Sequence, residues 1–197
     1  MILYRKNIDR KMFFIIIIIS CLATINTAIP LDVKIYHNEE SGYRIEYPDT
    51  WDVVEAKPRE NTPRGLIINM LEGDELQEVA FIDKSPGSEG MGRFDICVVS
   101  NKDDLTIREW AEKTFVDAFD LSVAYDFEQA SLHSRPAVKF TVFEFDQTCS
   151  VIACKSGSRI YYLHFPVSSP NDPIFEVHKN VYARMTTSFQ FTNGNSE

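Results

Sequence analysis

No P-loop, no H-E-x-x-H, no G-x-S-x-G and no C-x-x-C occurs anywhere in these 197 residues. Each absence removes a mechanism. There is no glycine cradle that ends in a phosphate-binding lysine, no helical histidine pair for a catalytic zinc, no nucleophile elbow and no dithiol redox pair. The glycines of Gly87-x-x-Gly90-x-Gly92 stand in the wrong order for a phosphate loop and precede no helix, so they read as a flexible loop. Solenoid-length repeats and low-complexity tracts are missing from the body, as is any βαβ rhythm. A doubly wound parallel sheet is therefore disfavoured.

Positive charge is scarce as well. The formal net charge is -9. Arg5, Lys6, Arg10, Lys11 and Asp9 together contribute +3 over the first 20 residues, which leaves -12 from Cys21 onward. Such a surface repels phosphate backbones and anionic head groups, so nucleic acid is not an expected partner. A membrane would have to hold this chain through a lipid or the N-terminal segment.

What is present begins at that end. A basic stretch, MILYRKNIDRK, runs into the short apolar stretch MFFIIIIISCLA, the layout of an export signal. Three endings stay open. Ile18-Ile19-Ser20-Cys21 resembles a lipobox, in which Cys21 is lipidated and becomes the first mature residue. Ordinary cleavage falls near Ala23 or Ala28. An uncleaved anchor would run to about Ala28, although Thr24, Asn26 and Thr27 interrupt the roughly 20 apolar residues a span needs. All three place the folded part outside the cytoplasm, in the cell envelope or secreted. Residues 1–28 are thus read as leader, 29–192 as one domain and 193–197 as a frayed polar tail. Of the four cysteines, lipidation of Cys21 leaves Cys97, Cys149 and Cys154. An odd offset sets the last two on opposite faces of one strand, so all three read as small buried residues, and C-x4-C without a second pair is no zinc pattern.

Along the body, strands are expected at Val33–Tyr36, Tyr43–Tyr47, from Val53, Leu66–Leu71, Val79–Ile82, Phe94–Val99, Ala137–Phe145, Thr148–Cys154, Arg159–Phe165 and Ser188–Phe191, with Phe127–Leu132 leading into the block from Ala137. Pro48 cannot donate to a ladder and ends its strand. Asp49-Thr50 then turns the chain so that Trp51 folds back over the sheet. Thr106-Ile107-Arg108-Glu109 is a capping box, followed by a helical stripe of Ile107, Trp110, Ala111, Thr114, Phe115 and Ala118. A second helix is expected with Asp172 as cap, Pro173 in its first turn and Ile174, Val177, Val181 and Met185 on its apolar side. A turn is expected at His133–Pro136 and a hairpin turn at Lys155–Ser158. Hairpin-linked strands with two helices give an α+β class, an antiparallel sheet sandwiched by helices.

Candidate chemistry is sparse. His164 at a strand end and His178 on the second helix could meet, and with Glu176 or Asp172 could hold a transition metal; ordinary boundary histidines are the simpler reading. His37 beside Glu39 and Glu40 reads as a solvated turn, and His133 as exposed. Glu144 and Asp146 share a strand face, which on an acidic protein is more often wet sheet than acid–base machinery. Trp51 and Trp110 read as core anchors. No cofactor is expected.

Gly42-Tyr43-x-Ile45-x-Tyr47-Pro48-x-x-Trp51 resembles the opening of the PsbP-like superfamily, which includes the extrinsic photosystem II subunit, a yeast Ran-binding protein and many exported bacterial proteins and lipoproteins. Thr106–Ala118, Arg135-Pro136-Ala137, Arg159–Leu163 and Met185–Phe191 follow in that family's order, so the resemblance spans residues 35 to 191. It implies a PsbP-like α/β/α arrangement and an accessory or binding role with an envelope or extracellular protein partner, without implying an enzyme. The leader is not a plastid transit segment, so no photosystem role and no binding residue is carried across. The other readings kept open are a metal- or small-ligand-binding exported protein and a hydrolase with its site near the Lys84–Gly92 loop.

Overall fold

A computed structural model describes residues 32–56, 77–88, 92–117, 123–144, 147–168 and 175–192, all within one compact unit that begins at Asp32. The expected strand at Leu66–Leu71, the cap Asp172 with Pro173 and Ile174, and residues 1–31 and 193–197 lie outside the described residues. So do Ala118, Gly90 and Asp146.

The described strands form two antiparallel sheets where one was expected. β1 (Val33–Asn38), β2 (Tyr43–Pro48) and β10 (Gln190–Phe191) make a small sheet in the order β1-β2-β10. β3 (Trp51–Ala56), β4 (Gln77–Asp83), β5 (Arg93–Ser100), β6 (Val123–Leu132), β7 (Arg135–Glu144), β8 (Gln147–Ser156) and β9 (Arg159–Ser168) make a large one in the order β3-β4-β5-β9-β8-β7-β6. The Pro48 corner is where the chain changes sheet. Pro48 closes β2 against Val33, and Trp51 opens β3 against Asp83. Trp51 is buried there, edge-on to His178 and Tyr182.

Turn chemistry explains the hairpins. Gly42, with φ of +66°, ends the β1–β2 turn, its N–H donating to the Asn38 carbonyl at 2.8 Å. β6 and β7 are joined by only His133 and Ser134, both at positive φ (47° and 64°), the conformation a tight right-twisted hairpin demands. Gly157 and Ser158 alone join β8 to β9, so both expected four-residue turns contract to two, and Arg135, Pro136, Lys155 and Ser156 are strand residues.

Each face of the large sheet has its own cover. On one, α1 (Ile107–Ala111) continues as a π-helical turn over Glu112–Asp117. Trp110, Ala111 and Phe115 pack onto Cys97, Phe140, Val142, Val151, Ile160 and Tyr162. On the other lie α2 (Phe175–Ser188) and the small sheet, where Tyr182 packs on Phe94 and Phe165, and Tyr36 and Tyr47 on Phe81. The described helices are too few and short to sandwich the sheet; strands supply part of one cover. The apolar stripe of α2 also differs from expectation. Val181 and Met185 are buried, but Val177 is 55% exposed, and His178 and Tyr182 occupy the inner face instead. Among the described residues no helix is long and apolar enough to cross a membrane.

Candidate functional site

Two buried acid–base groups stand on opposite faces of the large sheet. The first arises from alternation on β5. Phe94, Ile96 and Val98 face α2 and the small sheet, which leaves Arg93, Asp95 and Cys97 on the α1 face. Cross-strand register sets Glu78 opposite Cys97, His164 opposite Asp95 and Tyr162 opposite Cys97. The Arg93 guanidinium donates through Nε to both oxygens of Asp95 at 2.9 Å and through Nη2 to Glu78 Oε1 at 3.2 Å. His164 Nδ1 lies 3.5 Å from Asp95 Oδ2. Glu78 and Asp95 are buried, and burial followed by the neighbouring Asp95 charge pushes the Glu78 carboxyl up to about 7. Cys97 and Tyr162 hydrogen-bond each other beside this group, and burial raises both far above their ordinary values. Cys97 is therefore an inert thiol, and Cys149 and Cys154 are likewise free and buried.

The second group joins α2 to the end of β4. His178 Nε2 is 2.9 Å from Asp83 Oδ2, and His178 is 1% exposed. Asp83 Oδ1 accepts from the Ser85 N–H at 2.8 Å, and the Ser88 hydroxyl donates to the Asp83 carbonyl at 3.0 Å. The Asp83 N–H donates to the Gly92 carbonyl at 2.8 Å. Burial raises the Asp83 carboxyl, but hydrogen bonds from Ser85 and His178 outweigh it and hold it below the usual carboxylate range. The described ends of the Lys84–Gly92 loop are thus tied to the sheet. Gly92 sits so close to the pair that a Cβ there would come within 2.5 Å of His178 Nε2.

The two histidines singled out in the sequence do not share a site. α2 does pack beside β9, as a meeting would require. However, His164 alternates with Phe165, and Phe165 is the residue that meets Tyr182 of α2. His164 therefore points to the α1 face and pairs with Asp95, while His178 pairs with Asp83. Glu176 is exposed, 3.8 Å from Lys179. Among the described residues no group of three or more His, Cys, Asp or Glu is arranged to hold a metal ion. His37 is exposed, and exposed His133 accepts the Phe191 N–H at Nδ1, 3.1 Å away. Glu144 is the last residue of β7. Glu78, Arg93, Asp95 and Asp83 escaped the sequence reading. On β5 Arg93 and Asp95 alternate with Phe94 and Ile96, a visible signal, whereas Glu78 and Asp83 stand five residues apart on opposite faces of β4 and share no pattern.

The solvent side of the small sheet is different in character. On β1, Tyr36 turns inward while Val33 and Ile35 face out, Ile35 at 60% exposed. β1 is an edge strand that pairs only with β2 among the described residues.

No protein-family model matches this sequence, and a search of curated proteins finds no match. Solved structures do match. Cyanobacterial PsbP (CyanoP) from Synechocystis sp. PCC 6803 aligns with a TM-score of 0.53 at 12% identity, over 87% of this chain and 99% of its own. A protein from Bacteroides thetaiotaomicron VPI-5482 aligns at 0.43 and 13% identity, over 83% of this chain and 50% of its own. With the sheet order and the helix positions above, the first of these alignments shows that the chain has the PsbP-like fold.

Proposed function

We propose that this chain is an exported accessory domain, held at a membrane by a lipid on Cys21, that works by binding a protein partner. The observation that supports this reading is the edge strand β1, which sets Val33 and Ile35 in solvent beside an outer backbone edge that no described strand pairs. Extended partners dock on such edges through main-chain hydrogen bonds, with alternate side chains giving specificity. The resemblance noted above implies the same kind of role. Mild crosslinking of the full chain at the cell surface tests it. A discrete partner is captured by the native chain and lost at least tenfold by Ile35→Lys, while Tyr125→Lys, on the far edge of the large sheet, keeps it. Turnover of a small molecule with no partner overturns it.

One contact favours a second reading, a hydrolase beside the Lys84–Gly92 loop: the 2.9 Å Asp83–His178 pair is the arrangement that orients a general base. Fluorophosphonate labelling of Ser85 or Ser88 that disappears in His178→Gln would establish it, and a chain that stays unlabelled removes it.

A further inference from the structure

Neither reading uses the group formed by Glu78, Arg93, Asp95 and His164. Its charges do not balance. Arg93 shares its Nε–H between both oxygens of Asp95, at 2.9 Å each, and reaches Glu78 from Nη2 by one longer contact of 3.2 Å. Among the described residues, one fixed cation thus serves two buried carboxyls on adjacent strands. Among the described residues the other groups that face Glu78 are Cys97 on β5 with Tyr162 and His164 on β9, and of these His164 lies against Asp95. β3, the other neighbour of β4, sets Val54 and, further along, exposed Asp52 on this side. Two carboxylates sharing one partner in a water-poor site cannot both ionise cheaply, and the less well solvated one keeps its proton.

From this geometry we infer that Glu78, Arg93 and Asp95 form a one-proton acid switch. Glu78 holds a proton in the folded chain on the acid side of neutrality, and its loss as pH rises weakens the β3–β4 margin of the large sheet. Burial, then the Asp95 charge, raises the Glu78 carboxyl to about 7. An unfolded glutamate titrates near ~4.3. The folded value being the higher, the stabilisation is complete below the unfolded value and is lost as pH climbs through the folded one. The folding constant falls by up to about tenfold per pH unit in that window.

The test is carboxyl-carbon NMR of the full chain combined with urea unfolding from pH 5 to pH 8. One glutamate carboxyl should titrate near neutrality and vanish in Glu78→Gln. Across that range the native folding constant should fall at least tenfold further than that of the variant. Should Glu78→Gln not fold, Asp95→Asn serves instead: removing the neighbouring charge should lower the Glu78 midpoint by a unit or more. Glutamate carboxyls that all titrate below pH 5.5, an unfolding profile of Glu78→Gln parallel to the native one, or a Glu78 midpoint unmoved by Asp95→Asn would each overturn the inference.

Discussion

Gly92 shows how a residue can be read correctly as glycine and wrongly as to reason. In the sequence it belongs to a glycine-bearing loop. In the fold a Cβ there would lie 2.5 Å from His178 Nε2 and 2.9 Å from Asp83 Cβ, so the glycine is kept by close approach of a helix to the sheet. Gly92→Ala should therefore lower stability by about 1–3 kcal/mol, the cost of overpacking, seen as a lower urea midpoint at unchanged slope. Removing the partner is worse. His178→Ala leaves the Asp83 carboxylate buried without its imidazole, which costs about 3–5 kcal/mol. Asp83 sits below its ordinary value in the fold. Its stabilisation is therefore present above the unfolded carboxylate value and lost as pH falls through the lower folded one. That acid loss should shrink in His178→Ala when unfolding is followed from pH 5 down to pH 2. Nothing local announces this pair, because its members are 95 residues apart.

At the level of elements, legibility followed locality. The capping box was readable because its parts are three residues apart, and it forms: the Thr106 Oγ1 accepts the Glu109 N–H, and the Glu109 carboxylate accepts the Thr106 N–H at 2.8 Å. Thr106→Ala should cost about 1 kcal/mol and lower the melting temperature by a few degrees. The widening of the same helix into a π turn at Glu112 was not legible, since it depends on how Trp110 and Phe115 seat against Tyr162 and Phe140. In α2 the apolar count misled. Helical spacing puts Val177 on the apolar side with Val181 and Met185, but the inner face is set by what the sheet offers, namely Asp83 for His178 and the Phe94–Phe165 stack for Tyr182. Strand positions were legible from alternation. Their division between two sheets was not, because both sheets alternate with the same period and only tertiary pairing tells them apart.

For the molecule as a whole, the acidic balance and the proposed anchor make a joint prediction. With -9 overall and -12 after Cys21, the body gains nothing from anionic lipid. Attachment then depends on the acyl chain. Mass spectrometry of the mature N-terminus should find a diacylglyceryl group on Cys21, and Cys21→Ser should shift the protein from the membrane to the soluble fraction. A soluble native chain with its N-terminus near Ala23 or Ala28 would replace the anchor with plain secretion.

The small sheet also orders events in time. β2 takes β1 on one side, made a few residues earlier, but on the other it takes β10, with Arg44 facing Gln190 and Tyr43 facing Phe191. Tyr43 is finally roofed by Phe189, stacked at 5.4 Å. An emerging polypeptide therefore carries this hairpin unfinished until residues 189–191 are released. A ribosome or a translocation pore threads a chain that cannot lock β2 until β10 arrives.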